Sequence, residues 1–260
     1  MRLELQLTPP SEELVIPRQY NPLLQGLLYH HLDKPIAQQM HEEGFRDPQG
    51  QRPLKFFTFS RLLGKWQAQG DRMVFRGPIR WVVASPYEDL LASLFNHLLT
   101  NRQLRLGDQP VEVAELSAEP AAEWSGTAQV KMLSPVTVYS TLYTAEGTPK
   151  TYYYSPFEGE FEDQVLKNLQ RKARVWYGEE FPLEGRVRPV KASSRDQHIV
   201  KFKGTVIKAW TGIYELDLSP AFWAMAYHAG IGAKNSQGFG CIVLHGSSQE
   251  AGSPRAGGTS

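Results

Sequence analysis

The 260-residue chain holds a single cysteine, Cys241. One thiol excludes an intramolecular disulfide framework and every cysteine-rich zinc pattern, and it suits a reducing compartment, so the chain is read as cytoplasmic. No window approaches the roughly 20 apolar residues of a membrane span. The opening residues, MRLELQLTPP, alternate charged and apolar types where a signal peptide would run continuously apolar. There is no H-E-x-x-H pattern, and the histidines His97, His198, His228 and His245 are scattered, so neither a metal nor a cofactor is expected. A strong charge imbalance is absent too, the formal net charge being +1.

That neutrality hides an uneven distribution. Between Arg186 and Lys208 lie Arg186, Arg188, Lys191, Arg195, Lys201, Lys203 and Lys208, opposed within the window only by Asp196. One face can therefore carry a positive field although the whole chain does not. The length suits two domains of about 125 residues, each able to bury a core.

Periodicity places the elements. Arg2 to Leu7 alternates as a half-buried strand. In YNPLLQGLLYHHLDK, Asn21 reads as an N-cap and Pro22 as the first helical position, with Leu23, Leu24, Leu27, Leu28 and Leu32 as the apolar stripe. A short helical piece from Ile36 to Glu43 ends at Gly44. Leu54 to Leu63 and Arg72 to Val83 read as strands around a GKWQAQGD turn, Ser85 and Pro86 open a helix, and Leu104 to Leu116 is strand-like. The second half repeats the order, with a strand over Thr127 to Tyr139 and a helix over Phe157 to Tyr177 whose stripe includes Lys172. Strands over Gly185 to Lys191 and His198 to Ile207, a helix opened by Ser219 and Pro220, and a last strand over Phe239 to Leu244 complete it. The prediction is an α+β chain of two tandem ferredoxin-like βαββαβ domains, residues 1–122 and 123–247, followed by a disordered polar tail at 248–260.

Near the end stands GIGAKNSQGFG, Gly230 to Gly240. Nucleotide cradles place their glycines after a strand and before a helix, whereas this stretch follows a helix and precedes a strand. It also has Asn235 where G-x-G-x-x-G needs its third glycine. Glycines at this density still let backbone approach an anionic ligand.

A G-I-G-x-x-N-S-x-G-F-G loop between the last helix and last strand of a tandem ferredoxin-like chain is similar to the hallmark loop of the RAMP superfamily. Together with the Q-G-L-L-Y helix, it makes the chain resemble the CRISPR-associated endoribonucleases that process repeat-spacer precursor RNA, from Arg2 to about Leu244. The resemblance implies metal-independent cleavage in which the 2′-hydroxyl attacks the scissile phosphate, leaving a 2′,3′-cyclic phosphate and a 5′-hydroxyl. It implies CRISPR repeat RNA, precursor and product, as partner, alongside effector-complex proteins, with the chain a monomer or homodimer.

By the same resemblance the catalytic positions are Tyr29, His41 and Lys55. His41 would serve as general acid to the leaving 5′-oxygen or as base in the reverse sense, Tyr29 would position or deprotonate the 2′-hydroxyl, and Lys55 would stabilise transition-state charge. A tyrosine is a poor base at neutral pH unless a cation such as Lys55 lowers its pKa. His30 and His31 compete with His41, and Arg46 or Arg52 with Lys55. Gly26, one turn before Tyr29, fits either a close substrate backbone or a tightly packed helix.

RNA contacts are expected from a basic hairpin carrying Arg186, Arg188, Lys191, Arg195, Lys201 and Lys203, and from the loop through Gly230, Gly232, Lys234, Asn235, Ser236, Gly238 and Gly240. Tyr152, Tyr153 and Tyr154 read as a stacking surface or as packing groups. The alternative is a non-catalytic RAMP subunit that binds guide RNA in an effector complex, which would have no use for the tyrosine, histidine and lysine set.

Overall fold

The computed structural model describes residues 1–47, 49–50, 52–119 and 126–246. The expected domain junction at 122/123 and the tail at 248–260 lie outside the described residues. In the first half, β1 (Arg2–Thr8) and β2 (Glu13–Pro17) precede α1 (Asn21–His30), α2 (Lys34–Gln38) and a π-helical turn at Gln39–Glu43. Then come β3 (Thr58–Phe59), β4 (Leu63–Gln69), β5 (Arg72–Ala84), α3 (Glu88–Thr100), β6 (Gln103–Leu106) and β7 (Gln109–Glu119). β1 pairs with both β5 and β7, and β4 takes the other edge of β5, so the antiparallel order β7-β1-β5-β4 is that of a βαββαβ unit.

The second half contains β8 (Thr127–Met132), β9 (Tyr139–Tyr143), β10 (Pro149–Tyr153), α4 (Gly159–Tyr177) and β11 (Arg186–Lys191). It continues with β12 (Gln197–Phe202), β13 (Thr205–Trp210), β14 (Ile213–Asp217), α5 (Pro220–Ala229) and β15 (Ile242–Leu244). Its four-stranded sheet runs β11-β14-β8-β15, the same order again. β9 with β10, and β12 with β13, are two further hairpins.

Two expected strands sit elsewhere. The segment GKWQAQGD is mostly β4, and the chain turns only at Gly70, because Phe56 and Phe57, which give Leu54 to Leu63 its strand-like content, bury singly in different cores. The expected pairing of 185–191 with 198–207 is also replaced. β11 pairs with β14, whose Tyr214 and Leu216 are fully buried, while β12 turns Val200 and Phe202 onto Ile207, Ala209 and Phe239. Asn21 opens α1 rather than capping it, since Tyr20 holds the cap position.

The two units share a seam. Arg2, 1% exposed, reaches from β1 to donate to the Tyr227 carbonyl at 3.2 Å and to that of Ile242, with its guanidinium 3.8 Å from the centre of the Tyr227 ring. Leu63 and Val82 of the first unit pack with Leu133, Cys241 and Val243 of the second. Phe56 joins the second core outright.

The glycine-rich segment forms the middle of this seam. Gly230, Gly232, Gly238 and Gly240 all have positive φ and are buried, so each needs a conformation that L side chains rarely adopt. A Cβ on Gly240 would overlap the Ile231 carbonyl oxygen, and one on Gly238 would lie 2.5 Å from the Phe59 ring. Asn235 is 7% exposed, and its amide donates to the carbonyls of Ile231 and Phe239, both at 3.0 Å. The space beside these glycines and the hydrogen bonds of the Asn235 amide are thus taken up inside the protein.

Three histidines lose hydration, His31 and His228 being buried and His198 half-buried. His31 lies against His97 and His30, His198 against Thr211, and His228 beside the N-terminal amine; desolvation lowers each to about 4, helped by neighbouring cationic groups at His198 (Arg61) and His228 (the amine, then Arg2). An unfolded histidine titrates near ~6.5, so between that value and 4 the unfolded chain binds more protons and stability falls as pH drops. Thermal melts from pH 7.5 to 4.5 should therefore show a declining midpoint, with a shallower decline in His198→Gln; a flat series would show that these rings are not held neutral. Gly240→Ala should cost about 2–5 kcal/mol, combining the left-handed backbone with overpacking, as read from denaturant melts.

Candidate active site

Helix α1 presents Leu24, Leu27 and Leu28 to the first core and leaves Gln25, Gly26 and Tyr29 on the side facing the second unit. The chain then turns back through α2 and the π-helical turn, which delivers His41, and returns along an extended segment that delivers Lys55. A two-residue bridge closes this excursion: Phe45 and Leu54 exchange backbone hydrogen bonds at 2.7 and 2.8 Å. Gly44 permits the crossing, since a Cβ there would lie 2.8 Å from the Leu54 carbonyl oxygen.

The result brings Tyr29, His41 and Lys55 into one cleft of about 420 Å³ with Pro22, Gln25, Gly26, Phe202, Lys203, Ser236 and Gln237. The Tyr29 and His41 rings meet edge to face at 5.7 Å. Lys55 Nζ donates to the His41 carbonyl at 3.0 Å and lies 5.7 Å from the centre of the Tyr29 ring. The lining carries three basic side chains and no carboxylate, which suits a phosphate diester. Among the described residues, no group of three His, Cys, Asp or Glu side chains is placed to hold a metal ion.

Burial pushes the Tyr29 phenol up to about 12, and Lys55 does not bring it down. Lys55 is itself lowered, first by desolvation and then by the neighbouring Lys203 charge. Tyr29 is thus a phenol at neutral pH, able to donate a hydrogen bond and unsuited to accept a proton.

The competing residues fall away by position. His31 is buried against His97 of α3, and neither His30 nor His31 lines the cleft. Arg46 and Arg52 are exposed outside it, Arg52 near enough to Lys234 to depress that ammonium after desolvation has done so. Gly26 faces open space, with nothing within 4 Å of the place a Cβ would take, so tight helix packing is not its reason.

Of the expected basic hairpin, only Lys203 reaches the cleft. Lys203 and Gly204 both have positive φ in the two-residue β12–β13 turn, which carries the lysine to the hairpin tip. Lys201 is exposed on β12 and Arg195 on a 3-10 turn. Arg186 and Arg188 are exposed on β11, where the register sets them opposite Asp217 and Glu215; these acids lie beyond the window that reads as basic. Lys191 is exposed at the end of the same strand. Lys234 sits over the Tyr139 ring at 4.9 Å, and Ser236 lines the cleft. Tyr152 donates to Glu158, Tyr153 packs on the β12–β13 core and Tyr154 bonds Ser140.

Several residues build the site without being among the expected site residues. Asn21 donates to the carbonyls of Gln237 and Gly238 at 2.8 and 3.2 Å, and Gln25 to that of Ser236 at 2.7 Å, so the helix bearing Tyr29 is tied directly to the glycine-rich segment. From the other side Lys172, 4% exposed, donates to the carbonyls of Gly230 and Gly232 at 2.6 and 2.9 Å. A lysine on an otherwise apolar helical stripe was the available signal for it.

Residues 118–244 match the family described as CRISPR associated protein Cas6, C-terminal. Over 94% of its length the chain is 26% identical to the CRISPR-associated endoribonuclease Cas6 1 of Methanocaldococcus jannaschii, covering 92% of that protein. It is also 26% identical to the CRISPR-associated endoribonuclease Cas6 of Pyrococcus furiosus, over 95% of this chain and 90% of that one. A solved structure of a Cas6-related gene product from Pyrococcus furiosus superposes with a TM-score of 0.82 at 19% identity, over 95% of this chain and 98% of that one. The second half of the chain thus matches the Cas6 C-terminal family, and nearly its whole length is similar to two CRISPR-associated endoribonucleases.

Proposed function

We propose that this protein is an endoribonuclease that cuts CRISPR repeat RNA in precursor transcripts to release guide RNAs. The observation that carries the reading is the convergence of Tyr29, His41 and Lys55 in one carboxylate-free cleft. The 2′-oxygen attacks phosphorus, the bond to O5′ breaks, and the products are a 2′,3′-cyclic phosphate and a 5′-hydroxyl. Histidine is the residue type in the cleft that exchanges protons near neutrality, so proton transfer at the two oxygens that change bonding falls to His41. Tyr29, held as a phenol, orients the substrate and donates to a phosphate oxygen. Lys55 supplies positive charge to the phosphorane, in a partly desolvated place where such charge is most effective. Lys203, Lys234 and Ser236 hold the backbone on either side, and Lys201, Arg186, Arg188, Lys191 and Arg195 add longer-range attraction.

Incubation with the host's repeat RNA in EDTA, followed by end analysis, should give one cut with a 5′-hydroxyl product; binding without a cut would sink the enzyme reading in favour of a guide-binding subunit. His41→Ala should slow single-turnover cleavage by ~10²-fold or more with RNA affinity nearly unchanged, the usual scale for an acid–base group. Gly26→Leu should leave the melting temperature at or above its original value, leucine being the better helix former, while cleavage drops at least ~10-fold because the new side chain fills the cleft. Undiminished cleavage by that variant would place the substrate elsewhere.

A further inference from the structure

The excursion between His41 and Lys55 is fastened by the other ferredoxin unit. Asp47 has a carboxylate with no exposed surface, although it sits in a connecting segment rather than in a helix or strand. Arg171 of α4 donates to it through Nε at 2.6 Å, and Arg174, one turn further along α4, donates through Nη2 to both carboxylate oxygens at 3.2 Å. The Gln49 amide adds a fourth hydrogen bond at 3.0 Å, and Arg171 also donates to the Arg52 carbonyl. Burial alone would raise the Asp47 carboxyl; Arg171, the Gln49 amide and Arg174 hold it below the ordinary carboxylate range.

A second layer of the same helix lies beneath. The Trp176 ring is 5.5 Å from Phe45 and 5.1 Å from Phe56, centre to centre; Phe45 is one residue of the bridge that closes the excursion, and Phe56 follows its partner Leu54 by two residues. Arg171, Arg174 and Trp176 of α4 therefore grip the segment carrying His41 and Lys55, while Lys172 of the same helix holds the base of the glycine-rich segment. That segment in turn is tied to the helix of Tyr29 by Asn21 and Gln25. Nothing on the first unit replaces the ionic part of this grip: among the described residues, the side chains that reach Asp47 come from α4.

We infer that Asp47, Arg171 and Arg174 are positioning residues for RNA cleavage: they fix His41 and Lys55 against Tyr29 from the opposite domain without touching substrate. The inference rests on the endoribonuclease reading above. Two guanidiniums on one buried carboxylate, with Arg171 dividing its donors between Asp47 and the Arg52 carbonyl, define distance and angle more sharply than packing alone, and rate is steeply sensitive to the placement of reacting groups. Binding has no such dependence, because the cations that hold the RNA backbone lie on other elements. A loss confined to the chemical step is the mark of this role.

The test compares the intact protein with Asp47→Asn, Asp47→Glu and Arg171→Lys, each measured for single-turnover cleavage, RNA dissociation constant and melting temperature. Asp47→Asn keeps the volume and removes the charge; it should slow cleavage at least ~10-fold with less than a ~3-fold change in binding. Asp47→Glu should recover part of that rate. Arg171→Lys keeps the charge but loses the fork, and should fall between; it serves in place of Asp47→Asn if the latter does not fold. Rates within two-fold of the intact protein in folded variants would overturn the inference, as would rate and binding falling together in proportion to the loss of melting temperature. If the intact protein itself does not cut repeat RNA, the endoribonuclease reading fails and not the clamp.

Discussion

Everything in this protein that could act on RNA depends on how closely the backbone of residues 230–240 can lie against its surroundings. Of four buried glycines with positive φ, Gly230 and Gly238 leave out side chains that would meet Thr58, Phe59 and Asn21 of the first unit, Gly232 and Gly240 leave room for the second unit's own backbone, and Asn235 stitches the resulting bend to itself. Thr58 of the first sheet can then bond the Phe239 carbonyl at 2.9 Å, and Asn21 and Gln25 can reach the carbonyls further along. These contacts are short-range and directional, so they fix the helix of Tyr29 relative to the second unit. A methyl group at Gly238 would push Phe59 and Asn21 of the first unit away from the segment, and one at Gly240 would break the bend against Ile231.

The seam also explains an otherwise costly set of buried charges. Arg2, Lys172 and Asp47 each lose hydration, and an unpaired buried charge is expensive. Each is compensated across or beside the domain junction: Arg2 by carbonyls and the Tyr227 ring, Lys172 by two carbonyls of the glycine-rich segment, and Asp47 by two arginines. Lys172 is held well below the usual lysine range, first by desolvation and then by Arg171. These groups trade solvation for specificity of arrangement: Arg2 and Asp47 find their partners only when the units dock in one way, and Lys172 only when the glycine-rich segment lies against α4.

Much of the architecture was legible in the chain. Alternation in Arg2 to Leu7, the leucine stripe of α1 and the Ser-Pro starts of two helices are local signals, and each appears as an element at nearly the expected place. The errors came where burial is decided at a distance. Phe56 and Phe57 look like one strand but serve two cores, and the basic stretch after Gly185 looks like one hairpin but is split between a sheet edge and a separate ribbon. Arg186 and Arg188 read as free cations because their register partners Asp217 and Glu215 lie 31 and 27 residues further along the chain.

By itself the sequence determined the repeated order of strands and helices, because hydrophobic period and turn residues act over neighbouring positions. It also determined the identity of the glycine-rich segment and the residue types that converge with it. Only the tertiary structure decided what those residues do. It brought His41, and not His30 or His31, into the cleft with Tyr29 and Lys55, burying His31 against His97, and it raised the Tyr29 phenol by desolvating it. It folded Asn235 and the glycines into the interior and set Asp47 and α4 behind the cleft. Such outcomes depend on which surfaces exclude water from which, and that is set by contacts between residues far apart in the chain.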